Sequence, residues 1–238
     1  MSFYLATQNW CWEPRRYAVS ARPQAPRHGA PRARVLESAA ALFLSKGFVA
    51  TTIADIAQDA RVALLTIYRG FGSKAGLLSA VQDQAVVGDD EQVAQLDREW
   101  ARGLADLVPR DAICVLVTEL VPSTARAAPI FEVIQSAAAD PAVRQLLDET
   151  HRRRVQTCQE LAHRVLGERS ARSRQLGDLI YVVLGVESYL LLVVRRAWSE
   201  PQWAAWAQRA LEAELSKETA GNQDKEGRQR QPTARSVH

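Results

Sequence analysis

Apolar residues in this chain recur every three or four positions over long stretches and nowhere alternate one by one, a pattern that predicts helices and no strands. The first stretch opens near Pro31, a residue tolerated at a first helical position, and runs to about Ser45. Val35, Leu36, Ala39, Ala40, Leu42 and Phe43 form its apolar face. Gly47 supplies the stop, as a left-handed cap that costs glycine nothing, and Phe48 takes the place of an aromatic anchor. Two short helical patterns follow. One starts at Ile53 with Ile56 and Ala57 as its stripe; the other runs from about Leu64 to Arg69 after a turn that begins at Ala60. A further helix opens after Ser73. Beyond Gly88 the patterns lengthen, and helices are predicted near 89–107, 111–121, 127–138, 141–166, 172–197 and 201–216. Pro109, Pro122, Pro129, Pro141 and Pro201 fall at or near their starts and ends, where proline breaks one helix or opens the next.

The predicted fold class is therefore all-α, in two parts with two polar flanks. Residues 1–30 mix prolines and arginines without periodicity and read as a disordered basic extension, with Trp10 and Trp12 as its oddities. Residues 31–87 form a small helical unit, 88–216 a larger one, and 217–238 a polar tail expected to be disordered. Hydrophobic residues at 47% and charged residues at 24% suit a globular chain. The formal net charge is only +3, so bulk electrostatics does not mark a nucleic-acid binder. Local charge says more: Arg15, Arg16, Arg22, Arg27, Arg32 and Arg34 lie before or at the start of the first helix and could neutralise phosphates without reading sequence.

Two short helices meeting at a tight turn, with one helix before them and one after, is the arrangement of a helix-turn-helix DNA reader. Thr52 and Asp55 approximate a capping box, and a helix start of that kind attracts a phosphate to its free amides. Thr66, Tyr68 and Arg69 bring hydroxyl and guanidinium donors suited to phosphates and base edges. Ser73 and Lys74 cap the next helix and place an ammonium at its start, a second phosphate clamp.

Other chemistries find little support. Cys11, Cys114 and Cys158 are few and widely spaced, which suits a reducing compartment without a disulfide framework. His151 and Cys158 share a helical face, but nothing completes a metal site, and no metal or cofactor is expected. There is no phosphate loop, dinucleotide fingerprint or nucleophile elbow, so the chain is not expected to be an enzyme. The most apolar run, Leu179 to Val194, carries Glu187 and is short for a bilayer span; a cytoplasmic protein without membrane contact is expected.

The order T-T-I-x-x-I-A, then A-x-V, then T-I-Y-R-x-F-G-S-K, with F-x-x-K-G-F before and L-L after, resembles the N-terminal domain of TetR/AcrR-type transcriptional regulators over about fifty residues. The resemblance implies an all-helical fold with this DNA-binding domain and a larger ligand-binding, dimerising domain. It implies a repressor that binds a palindromic operator as a homodimer and is released by a small molecule. By that resemblance Thr52, Tyr68 and Lys74 match phosphate contacts, while Leu64, Leu65 and Thr66, with Arg69, face the bases. Four positions depart from the pattern: Arg61 for the turn glycine, Ala63 for the capping serine, Gly70 for an aromatic or histidine, and Gly76 for a glutamate. They leave open a degenerate reader that acts through protein contacts.

In the larger part, Leu176, Leu179, Ile180, Val183, Leu184, Leu190, Val193 and Val194 exceed the apolar face one surface helix needs, and Trp198, Trp203 and Trp206 follow. Leu190, Val193, Trp203 and Trp206 are the expected dimer contacts, through a four-helix interface. Trp100, Cys114, Glu119, Phe131, Gln135 and Tyr181 are candidates for an effector pocket by position. Glu119 and Glu187, set among apolar neighbours, need cationic partners such as Arg126 or Arg195. The run His151 to Arg154 reads as a solvated helix face.

Overall fold

The computed structural model describes residues 31–88 and 94–229; the basic extension, Trp10, Trp12 and residues 230–238 lie outside the described residues. Among those described there are helices and turns and no strand. Helix α1 spans Pro31–Ala50, α2 Ile53–Asp59, α3 Leu64–Phe71 and α4 Lys74–Val87. After them come α5 (Glu99–Gly103, between two short 3₁₀ turns), α6 (Pro109–Ser136), α7 (Pro141–Leu166), α8 (Ala171–Val183), α9 (Val186–Tyr189) and α10 (Glu200–Gln229).

Each element has a local cause. Gly47 interrupts α1 with φ 79° and ψ 169°, an extended conformation at positive φ rather than the left-handed cap expected. Behind it, the buried Thr51 hydroxyl donates to the carbonyls of Leu42 (3.1 Å) and Gly47 (2.7 Å), closing the end of α1. Asp140 caps α7 by accepting from the amides of Ala142 and Val143. Ser170 and Ser173 form a reciprocal capping box on α8.

Several expectations of helix extent need correction. The predicted helix 89–107 is instead a series of short turns from Gln95 to Asp106, with 89–93 outside the described residues. The predicted pair 111–121 and 127–138 is one helix, α6, which runs through both Pro122 and Pro129. An interior proline costs about 3 kcal/mol. Leu116, Val117, Val121, Ile130, Phe131 and Ile134 are all buried along α6, at roughly 1.5–3 kcal/mol for each large side chain, so burial wins. Finally, α10 continues to Gln229, so the first half of the expected disordered tail is helical.

The predicted helix 172–197 also breaks. Gly185 separates α8 from α9, and a Cβ there would collide with the Tyr181 carbonyl oxygen and crowd Arg154 and Glu187. Leu190–Arg195 then winds more widely, with Arg196 N–H reaching back to the Leu191 carbonyl at 3.1 Å. Among the described residues, two helical stretches are long and apolar enough to cross a membrane, Pro109–Ser136 and Ala171–Arg195, and both contribute core residues.

Two apolar cores result. One holds α1–α4 together through Phe43, Ile56, Ile67, Leu77 and Leu78, and it recruits Ile130, Ile134 and Val143 from α6 and α7. The other lies within α5–α10 and includes Leu104 from the turn before α6. The expected division at residues 87/88 is thus a boundary along the chain but not between cores.

Leu190 and Trp203, expected at a dimer interface, are buried in the second core. The Trp203 indole N–H donates to Ser188 Oγ (3.2 Å), and its ring meets Tyr189 edge-on at 5.2 Å. Val193 and Trp206 are half-buried, and Trp206 meets Trp198 edge-on. Trp203→Ala should therefore lower stability by about 3–5 kcal/mol in urea titration, independent of protein concentration. A loss below about 1 kcal/mol would return Trp203 to a surface role.

Candidate nucleic-acid interface and the cavity behind it

The reading unit is built from α2, a turn and α3. Thr52 caps α2: its hydroxyl accepts from the Asp55 amide (3.1 Å), while the Asp55 carboxylate accepts from the Thr52 amide (3.1 Å). The hydrogen bonds from the Thr52 side chain and backbone hold the Asp55 carboxyl below its ordinary range. Helix α2 then closes with Val62 N–H on the Ala57 carbonyl (3.0 Å) and Arg61 N–H on the Gln58 carbonyl (3.2 Å). This is a Schellman closure with Arg61 at its left-handed position, φ 53°, where glycine would carry no strain.

Helix α3 starts at Ala63 without any side-chain cap. Ile67 is its one fully buried residue, with Phe71 half-buried. Leu64, Leu65, Thr66, Tyr68 and Arg69 are exposed, Leu65 by 56%. All the residues expected to face phosphates or bases from α3 are therefore on its outer surface. A helix that buries one side chain and displays leucines and a tyrosine has an apolar patch that calls for a partner.

Lys74 departs from expectation. Its ammonium turns inward, donating to the carbonyls of Phe48 (2.9 Å) and Thr51 (3.0 Å) and lying 4.2 Å over the Phe48 ring. It fastens the start of α4 to the end of α1, leaving the ammonium mostly spent before any phosphate arrives. Ser73 caps α4 on the Gly76 amide (2.9 Å). A Cβ at Gly76 would strike the Phe71 carbonyl oxygen, which explains why no glutamate stands there. Gly70 has open space around it, and nothing in the structure explains it.

Behind the reader, a cavity of about 820 Å³ opens between α1, α4, α6, α7 and α8. Its walls include Leu36, Leu120, Leu161, Ile180 and Leu184. Its polar groups include Arg32, Gln82, Asp83, Arg153 and Arg154, with the Cys158 thiol pushed up to about 12 by burial. Of the six expected pocket residues only Tyr181 lines it. Trp100 and Cys114 are half-buried elsewhere, Phe131 is wholly buried, and Gln135 is exposed near the end of α6. Glu119 is half-buried on α6, and burial pushes its carboxyl up against the pull of Arg98 and Arg126.

The arginine run is not a uniform solvated face. Arg154 turns inward, pairing with both oxygens of Glu187 (3.0 and 2.8 Å) and lying 4.6 Å over Tyr181 and 5.5 Å over Phe131. Glu187 thus takes Arg154, not the expected Arg126 or Arg195. Burial would raise its carboxyl, yet the Arg154 hydrogen bonds and charge leave it lowered. Arg126 instead donates to the carbonyls of Ala85, Val86 and Val87 at the end of α4 (3.2–3.4 Å). His151 shares a 2.7 Å hydrogen bond with the Tyr181 hydroxyl. Among the described residues no cluster could hold a metal ion. The polar wall residues that the sequence did not single out are Gln82 and Asp83, while Arg153 belongs to the run expected to be a solvated face. Gln82, four residues after Leu78 and beside Val81, stands on the buried stripe of α4, and that misplacement was the available signal.

Residues 35–81 match the family of bacterial regulatory proteins designated tetR. These residues form a TetR-type helix-turn-helix domain. It is 43% identical over 51 residues to the uncharacterized HTH-type transcriptional regulator YvkB of Bacillus subtilis (strain 168), an alignment covering 21% of this chain and 27% of that one. It is 27% identical over 165 residues to the HTH-type transcriptional repressor BdcR of Escherichia coli (strain K12), covering 64% and 83%. In fold it is similar to NalD, the secondary repressor of the MexAB-OprM multidrug efflux pump in Pseudomonas aeruginosa. That likeness has a TM-score of 0.58 at 18% identity, over 77% of this chain and 94% of that one.

Two substitutions separate structural from DNA-facing roles. Arg61→Gly should relieve about 1–2 kcal/mol of left-handed strain, less about 0.5–1 kcal/mol for the freer unfolded chain, giving a net gain near 0.5–1 kcal/mol. A fall in melting temperature would contradict it. Lys74→Met strands two carbonyls and should cost the free protein about 1.5–3 kcal/mol in chemical denaturation. An unchanged midpoint would restore Lys74 to a purely DNA-facing role.

Proposed function

We propose that the chain is a repressor that binds an inverted-repeat operator as a homodimer and leaves it when a small molecule enters the cavity. The carrying observation is α3, held by Ile67 and presenting Leu64, Leu65, Thr66, Tyr68 and Arg69 outward beside the capped start of α2. Leu64, Leu65 and Thr66 face the groove floor, where the leucines favour thymine methyl groups over bidentate hydrogen bonds. Arg69 reaches an adjacent base edge or phosphate. The Tyr68 and Thr52 hydroxyls donate to phosphates on either side, which positions the helix without reading sequence. The repressor names of BdcR and NalD support the sign of regulation. The work is done in the cytoplasm, on double-stranded DNA, without a cofactor.

Dimerisation rests on apolar surface that the described fold leaves open. Val182 on α8, with Leu191 and Val194 in the wide turn after α9, is more than half exposed, and Val193 and Trp206 are half-buried nearby in the chain. Such a patch suits a self-complementary contact about a two-fold axis. Effector release follows from the cavity's position, since α4 both lines it and packs against α1 of the reader.

Selection from random DNA tests the reading most directly. Wild type should enrich an inverted repeat with half-sites about 34 Å, or a multiple of that, apart. Leu65→Ala and Thr66→Ala should change the preferred base at roughly 1–3 kcal/mol per lost contact. Tyr68→Phe should weaken all sequences alike. Sedimentation should give twice the 26.4 kDa chain mass, and Leu191→Glu should return the monomer without loss of fold. No enriched repeat at any salt concentration sinks the repressor reading.

A further inference from the structure

The cavity carries information about what it holds. Gln82 is only 3% exposed, yet its Oε1 has no hydrogen-bond partner, and it lines the cavity. The Arg153 Nε is likewise buried without a hydrogen-bond partner in the same wall. The Glu149 carboxylate stands 3.7 Å from that Nε, beyond hydrogen-bonding reach, while Arg153 Nη1 donates to Asp83 Oδ1 at 3.1 Å. Buried polar groups left unmet cost free energy, and a ligand that meets them recovers it.

The charge pattern selects the sign. Arg32, Arg153 and Arg154 line the cavity against Asp83 alone. Glu187 neutralises Arg154 and Asp83 pairs with Arg153, so the excess positive charge on the wall is that of Arg32, exposed on α1. A cationic ligand would want a free carboxylate or an open aromatic face. Asp83 is already bound to Arg153, and the faces of Tyr181 and Phe131 are already covered by the Arg154 guanidinium. A planar carboxylate, by contrast, matches the fork of a guanidinium that still has an unused N–H.

We propose that the effector is an amphipathic carboxylic acid, its carboxylate held by Arg153 and Gln82 and its apolar body lying against Leu120, Leu161, Ile180 and Leu184. This rests on the reading of the cavity as an effector site. The unmet Gln82 oxygen is an acceptor, so the amide must turn by roughly 180° about its last bond to present its NH₂ to the second carboxylate oxygen. The incoming carboxylate competes with Asp83 for one guanidinium. Asp83 stands on α4 and Arg153 on α7, so binding weakens the ion pair that ties the two helices. The affinity of the site and its effect on the reader then depend on the same arginine.

The test is titration calorimetry of the full chain with decanoate, 2-naphthoate, decanol and decyltrimethylammonium, repeated with Arg153→Met and Asp83→Asn. At least one acid should bind about tenfold to a hundredfold more tightly than decanol, the range that a charge-assisted hydrogen bond confers. Which acid wins tells whether the body is an alkyl chain or an aromatic ring. Arg153→Met should remove that advantage, and Asp83→Asn, which removes the competitor, should strengthen binding of the acid. Decanol binding as tightly as the acids, or the ammonium more tightly, overturns the carboxylate assignment while leaving the cavity an effector site. Acid binding that is indifferent to Arg153→Met overturns it as well. Silence from all four probes removes the effector reading along with it.

Discussion

Every helix ends in backbone groups that need partners, and α4 finds them in two different places. At its start, Ser73 caps the Gly76 amide, and Lys74 ties it to the Phe48 and Thr51 carbonyls at the end of α1. At its end, Ser123 Oγ donates to the Val86 carbonyl (2.7 Å), and Arg126 covers the carbonyls of Ala85, Val86 and Val87. Gly88 closes the helix at φ 78°, and a Cβ there would run into the Arg126 guanidinium. The reader is thus fastened at one end of α4 and the cavity-bearing bundle at the other. Any displacement of α4 has to break hydrogen bonds in one set or the other. That gives a molecule in the cavity a mechanical route to α3 that needs no contact with DNA.

The same economy shapes the reading helix. Helix α3 buries one residue fully, lacks a side-chain cap and leans on a left-handed arginine. Each feature weakens the isolated element, and together they keep its outer surface free for another molecule. The neighbours supply what α3 lacks: the Schellman closure sets the turn, and the Arg34 Nε bond to the Ala60 carbonyl (3.2 Å) ties α1 to it. The turn at Arg61 and Ala63 is thus strained and uncapped on its own side chains but closed by backbone hydrogen bonds.

Much of this was legible in the sequence because it is decided locally. The caps at Thr52 and Ser73, the break at Gly47 and the stripe of Ile53, Ile56 and Ala57 depend on residues within one or two turns of each other. The outward set on α3 follows from helical periodicity around Ile67. What stayed illegible depends on distant partners. Helical spacing cannot say that Lys74 will meet carbonyls 23 and 26 residues away, or that Trp203 will close a core instead of an interface. Nor can it weigh two interior prolines against the burial that α6 gains from helices not yet placed.

The arginine run shows the general form of that limit. Arg152, Arg153 and Arg154 are consecutive, so on a helix they point about 100° apart and cannot share one environment. Arg152 is exposed beside Glu149, Arg153 bridges to Asp83 at the cavity wall, and Arg154 is drawn in over two aromatic rings to Glu187. A buried arginine is tolerable only with its charge matched and its donors used. Arg154 satisfies both conditions. Arg153 satisfies the first through Asp83 but leaves its Nε without a hydrogen-bond partner. Three identical residues thus divide into a solvated charge, an incompletely satisfied donor and a structural one. The middle one, beside the unmet Gln82 oxygen, is where the free protein is least complete.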